Sequence, residues 1–184
     1  MQWKEQNDPD DRLTVIDTTA ASGRLGTIVI AVERYSSGTD DPDSVIEFAK
    51  AAIDKCEEYV FLDRLQYLAA GGRLSRSSAF FGDLLHMKPV ISPTAEGAKK
   101  VGVVRNQMDQ IEFALDRLTE SFAKDSSILI MLQYSDNRSW VSDTVMKEIE
   151  RHYPLADIIL QPLSLTSGVH MGPGTWSVAF MPGL

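Results

Sequence analysis

The sequence predicts an α/β protein built from two unequal α/β domains. Three observations carry that prediction. Short β-branched and apolar runs recur along the chain, amphipathic stretches of helical period separate them, and Asp, Asn or Pro marks the start of several of those stretches. The chain has 184 residues, 43% of them hydrophobic and 24% charged, which is the balance of a globular protein.

The elements follow in order. Residues 1–12 are polar and acidic with one proline, and read as a disordered leader. Residues 13–16 form a short apolar run, read as a buried strand. From Ser22 onward Leu25, Ile28, Val29, Val32 and Tyr35 recur at helical spacing, so a helix is expected although TIVIAV is rich in β-branched residues. Asp41-Pro42 opens the next helix, with proline in its first turn and Val45, Phe48, Ala49, Ala52 and Ile53 on its apolar face. Residues 59–62 read as a strand, and this order fits a unit with a parallel sheet. Residues 63–85 have a helical pattern broken at Gly71-Gly72.

A strand is expected at 88–91 and a hairpin across 94–104. Asn106 and Asp109 announce a helix whose stripe is Met108, Ile111, Leu115, Leu118 and Phe122. A buried strand at 128–132 follows, then a helix capped by Asp136 with Val141, Val145 and Ile149 inward, then strands at 156–160 and 176–180. Residues 13–87 are thus assigned to a first α/β domain and 88–184 to a second.

Charge and composition exclude several function classes. The net charge of −8 argues against a broad nucleic-acid surface. No run approaches the roughly 18 apolar residues of a membrane span, and the N-terminus has no apolar signal core, so a cytoplasmic protein is expected. Cys56 is the single cysteine and cannot form an internal disulfide. His86, His152 and His170 lie far apart with no carboxylate or thiol at ligand spacing, so no metal site is expected. No phosphate loop, dinucleotide fingerprint or nucleophile elbow is present, and no catalytic residue declares itself. Basic residues do gather at Arg64, Arg73, Arg76 and Lys88, followed by Lys99, Lys100 and Arg105. That gathering reads either as a site for one anionic ligand or partner, or as a solvated surface.

The segment His170-Met171-Gly172-Pro173-Gly174-Thr175 is the most informative. Glycine reaches backbone angles closed to other residues and proline fixes its own, so the turn should hold one shape beside one imidazole. It reads either as a tight turn with a solvated histidine or as a bare-backbone loop built for close approach.

The stretches LQYL, GGRLS (71–75) and GDLLHMKPVI (82–91) resemble those of the DegV family, as do Arg105, the segment Tyr134-Ser135-Asp136-Asn137 and the closing HMGPGT. The resemblance implies a two-domain α/β protein, not an enzyme, that binds a long-chain fatty acid between its domains. Some members carry lipid for a bacterial fatty-acid kinase and present the carboxylate to a separate ATP-binding subunit. By resemblance, His170 and Arg73 bind the carboxylate, Arg105 engages the partner, and Gly172, Pro173, Gly174 and Thr175 frame the site. No cofactor is implied beyond the bound fatty acid. The family's N-terminal DST-type motif, its TSQPS-like segment and its SGT-like loop have no accepted counterpart here; Ser36-Ser37-Gly38-Thr39 stands in the wrong place for the last. The first domain is therefore expected to be incomplete, as in a truncated or fusion-derived chain, and fatty-acid binding by this chain alone is expected to be weak or absent. The alternative is a small-molecule enzyme with His170 as general base and Arg73 as an anion clamp.

Overall fold

The computed structural model describes residues 2–10, 12–72 and 87–184. Six strands form one sheet in the order β3-β2-β1-β6-β4-β5, where β1 is Glu57–Phe61, β2 Lys88–Thr94, β3 Gly97–Val104, β4 Ile128–Tyr134, β5 Asp157–Pro162 and β6 Trp176–Pro182. Only β4 and β5 pair in parallel; every other neighbouring pair is antiparallel. The parallel sheet expected from element order is thus corrected to a mixed one. Hydrophobic pattern and element order specify which residues pair inward, and leave the direction of each returning strand to the connections.

The sheet alternation sorts side chains into two layers. Ile128, Ile130 and Leu132 of β4, with Trp176, Val178 and Phe180 of β6 and Phe61 of β1, face one side. Helix α5 (Gln107–Ser121) and the run α6 (Arg138–Trp140), π-helical Val141–Met146 and α7 (Lys147–His152) cover that side. Val141, Val145 and Ile149 are fully buried, so their spacing by four fits a helix widened by a π turn. Asn106 caps α5, its side chain accepting N–H bonds from Met108 and Asp109. Met108 itself is 62% exposed, off the expected stripe, and Gln110 takes the inward place by accepting the Trp176 indole N–H at 2.9 Å.

Helices α2 (Ser22–Ser36) and α3 (Pro42–Lys55) cover the other side through Ile28, Ala31 and Ala52 against Leu129 and Met181. The Asp41 carboxylate caps α3 by accepting the Asp43 N–H. Beside them α4 (Gln66–Ala70) and α8 (Leu165–Met171) pack on Val60 and Ile91, enclosing a smaller cluster with Leu62, Leu68, Ala98 and Met171. The strand expected at 13–16 is not formed: no strand pairs with these residues, and Leu13 and Val15 are half exposed. Residues 1–12, expected to be a disordered leader, include helix α1 (Gln2–Asn7), and the Asp8 carboxylate accepts N–H bonds from Arg12 and Leu13. The sheet also crosses the expected boundary at 87/88, because β1 lies between β2 and β6.

Candidate functional site

The HMGPGT turn is built by its neighbours. Helix α8 ends at Gly172 with φ +79°, and Gly174 follows with φ +73°, both in the region that favours glycine. The Gly174 N–H donates to the Asp136 carboxylate at 2.6 Å, and the Asn137 amide donates to the Gly174 carbonyl. Ser135 donates to the Thr175 carbonyl from both its backbone N–H, at 3.0 Å, and its hydroxyl, at 2.9 Å. The Thr175 hydroxyl closes the turn on the Met171 carbonyl at 3.0 Å. Asp136 was expected to cap the following helix; it clamps the turn, and the Gly174 N–H holds its carboxyl below the usual range.

His170 and Met171, just before the turn, line one cavity, and Asp63, which packs on Gly174, lines another. The first, about 400 Å³, is floored by Leu68, Ile91, Ala98 and Met171, with His170, Ser167 and other polar side chains at its wall. That volume falls in the range of small-molecule sites. The His170 ring lies against the backbone of Gly71, and its Nδ1 is buried with no hydrogen-bond partner among the described residues. The second, about 560 Å³, is lined by Asp63, Arg64, Lys88 and Arg105 among others. Asp63 pairs with both Lys88 and Arg64, and its Cβ packs over Gly174, where an added methyl carbon would lie 2.9 Å away.

The expected site residues divide accordingly. His170 lines the first cavity from the end of α8, whereas Gly172, Pro173, Gly174 and Thr175 follow it in the chain and line neither cavity. Arg105 stands in the second, exposed, its backbone N–H donating to Asp109. Of the basic gathering, Arg64, Lys88 and Arg105 line that second cleft. Arg73, Arg76 and His86 lie outside the described residues. His152 ends α7 with its Nδ1 2.9 Å from the Glu148 carbonyl, a structural role. Among the described residues no group of His, Cys, Asp or Glu is arranged to hold a metal ion. No helix among them is long and apolar enough to cross a membrane.

One buried group escaped the sequence reading. Glu58 of β1 is 2% exposed and accepts the N–H groups of Gly23 and Arg24 at the start of α2, both at 3.2 Å. Burial pushes its carboxyl up to about 7 against those bonds and the Ser177 hydroxyl. Gln133 joins the cluster, accepting from the hydroxyls of Ser22 and Ser177. The signal was a carboxylate, Glu58, on the same strand phase as the apolar Val60.

A family model described as an uncharacterised protein of the DegV family matches residues 2–183. A DegV domain-containing protein of Streptococcus pyogenes serotype M3 is 29% identical over 172 residues, covering 92% of this chain and 58% of that protein. A protein of Thermotoga maritima named fatty acid-binding protein is 24% identical over 163 residues, covering 88% of this chain and 56% of its own length. A solved fatty-acid-binding DegV family protein from Thermus thermophilus superposes with a TM-score of 0.85 at 22% identity, over 98% of this chain and 64% of that one. The fatty acid kinase B3 protein of Streptococcus pneumoniae, loaded with linoleic acid, superposes with a TM-score of 0.79 at 20% identity, over 98% and 63%. The chain thus spans less than two thirds of each of these relatives, and the superpositions show the shared fold. The chain belongs to the DegV family.

Proposed function

We propose that the chain is a fatty-acid carrier in which the cavity beside His170 takes the acyl chain and His170 meets the carboxylate. The observation that carries this reading is one cavity that joins an apolar floor to a single imidazole at the end of α8. A carboxylate needs donors, which an imidazole supplies, and the tail gains about 0.8 kcal/mol for each methylene removed from water. The cavity joins residues far apart in the chain, Leu68 and Gly72 with Ile91, Ala98 and Met171, beside a single sheet that spans them. Arg73 is assigned to the carboxylate by its motif position.

The cleft of Arg64, Lys88 and Arg105 is the proposed contact for an acidic surface of a fatty-acid kinase's ATP-binding subunit. Asp63, which lines this cleft, packs on Gly174 in the turn that follows His170, so a partner there would approach that turn. His170→Ala should weaken palmitate binding about tenfold or more, the worth of one hydrogen bond to a charged group. Unchanged affinity would refute the assigned role. Arg105→Ala should leave palmitate affinity within about twofold while weakening partner binding; equal loss of both would merge the two roles.

A further inference from the structure

Gly71 sits at the C-terminal end of α4 with φ −77° and ψ −2°, a conformation that any residue adopts. Nothing in its backbone calls for glycine. Space does: a methyl carbon on Gly71 would overlap His170 Nδ1 and come within 3.2 Å of the ring carbon Cγ. The opposite contact repeats the arrangement. A methyl carbon on Gly172, just beyond α8, would overlap the ring of Tyr67 on α4. Each helix therefore lays one ring on a glycine of the other, Tyr67 on Gly172 and His170 on Gly71. Gly168, one turn earlier in α8, has nothing within 4 Å of the equivalent position, so α8 is not merely crowded throughout.

We propose that this reciprocal clasp makes Gly71 the positioning residue for His170, fixing which imidazole nitrogen faces an anionic headgroup. The assignment rests on the fatty-acid reading for the headgroup, but not for the clasp itself. Nδ1 is shut against Gly71 with no partner among the described residues, so it is not the nitrogen turned to a ligand. A buried N–H without an acceptor is rarer in proteins than an unfilled lone pair, which places the proton of the neutral ring on Nε2. Nε2–H is then the donor that meets a carboxylate.

The test uses the full chain, imidazole-labelled with nitrogen-15, as wild type, Gly71→Ala, His170→Ala, the double variant and Gly168→Ala, with sodium decanoate as probe. The wild type should show one His170 tautomer protonated at Nε2, and decanoate should shift Nε2 alone. Gly71→Ala should average the two nitrogen signals, lower the melting temperature by ~5 °C and weaken decanoate binding at least tenfold. In the His170→Ala background Gly71→Ala should cost almost nothing, because the clash has gone, and this double variant guards against simple misfolding. Gly168→Ala should leave the tautomer and decanoate affinity unchanged and should not lower the melting temperature. An equal thermal penalty in both backgrounds, or an unaltered tautomer in Gly71→Ala, overturns the clasp. Absence of decanoate binding by every variant overturns the fatty-acid reading instead, while the spectra and the thermal cycle still decide the clasp.

Discussion

Glu58 closes the N-terminus of α2 by accepting the Gly23 N–H at 3.2 Å, in a space that only a glycine at position 23 leaves open. An added methyl carbon there would stand 2.7 Å from the Glu58 Oε1. The helix dipole and two backbone donors favour the charged carboxylate, and burial opposes it more strongly, leaving a group that titrates at about 7 in the folded chain against 4.5 for the free side chain. The folded value is raised, so the unfolded chain loses this proton first. The contribution of Glu58 to stability is full below about pH 4.5 and is lost as pH rises through about 7. The loss is on the order of 3 kcal/mol. Glu58→Gln should remove that slope, so urea midpoints taken from pH 5 to pH 8 should fall in the wild type and run level in the variant. Parallel curves would show that Glu58 does not titrate there.

Gly174 holds the turn together in two ways, through its positive φ and through its bare face against Asp63. Gly174→Ala should therefore cost about 1–3 kcal/mol of stability. It should also disturb the Arg105 cleft, because Asp63, which lines that cleft, packs on Gly174. Thermal unfolding measures the first effect, and amide chemical shifts of residues lining the cleft measure the second.

Cys56 is 3% exposed in the α2–α3 layer, and burial pushes its thiol up to about 12. Reaction with a disulfide reagent at pH 8 should be slow in the folded chain and rise to the rate of a free thiol on unfolding in urea. A rate in buffer equal to that in urea would mean that α2 and α3 do not seal this side of the sheet.

Much of the fold was legible in the sequence because local chemistry fixes it. Pro42 after Asp41, Asn106 before α5, and the all-apolar run of β4 each announce their element without help from distant residues. Strand direction was not legible, because Val60 and Phe61 read alike in a parallel or an antiparallel pair. Asp136 misled for a related reason: an Asp before a helix has the pattern of a cap, and only the fold brings Gly174 within reach of it. The site shows the same division. His170 and its glycines were visible as a turn, whereas the apolar floor beneath them combines α4, β2, β3 and α8, which no sequence window joins. Gly71 read as a helix breaker, and its fit to the His170 ring exists only across two helices.

The most direct measurement of the central claim is to map where a photoreactive palmitate analogue cross-links to the chain, since covalent capture reports even a weakly held ligand. The account predicts saturable labelling of peptides that contain Ile91, Ala98 and Met171, suppressed by unlabelled palmitate and reduced by His170→Ala. Labelling spread over the outer faces of α2 and α3, or labelling of the cavity that palmitate does not suppress, would contradict it.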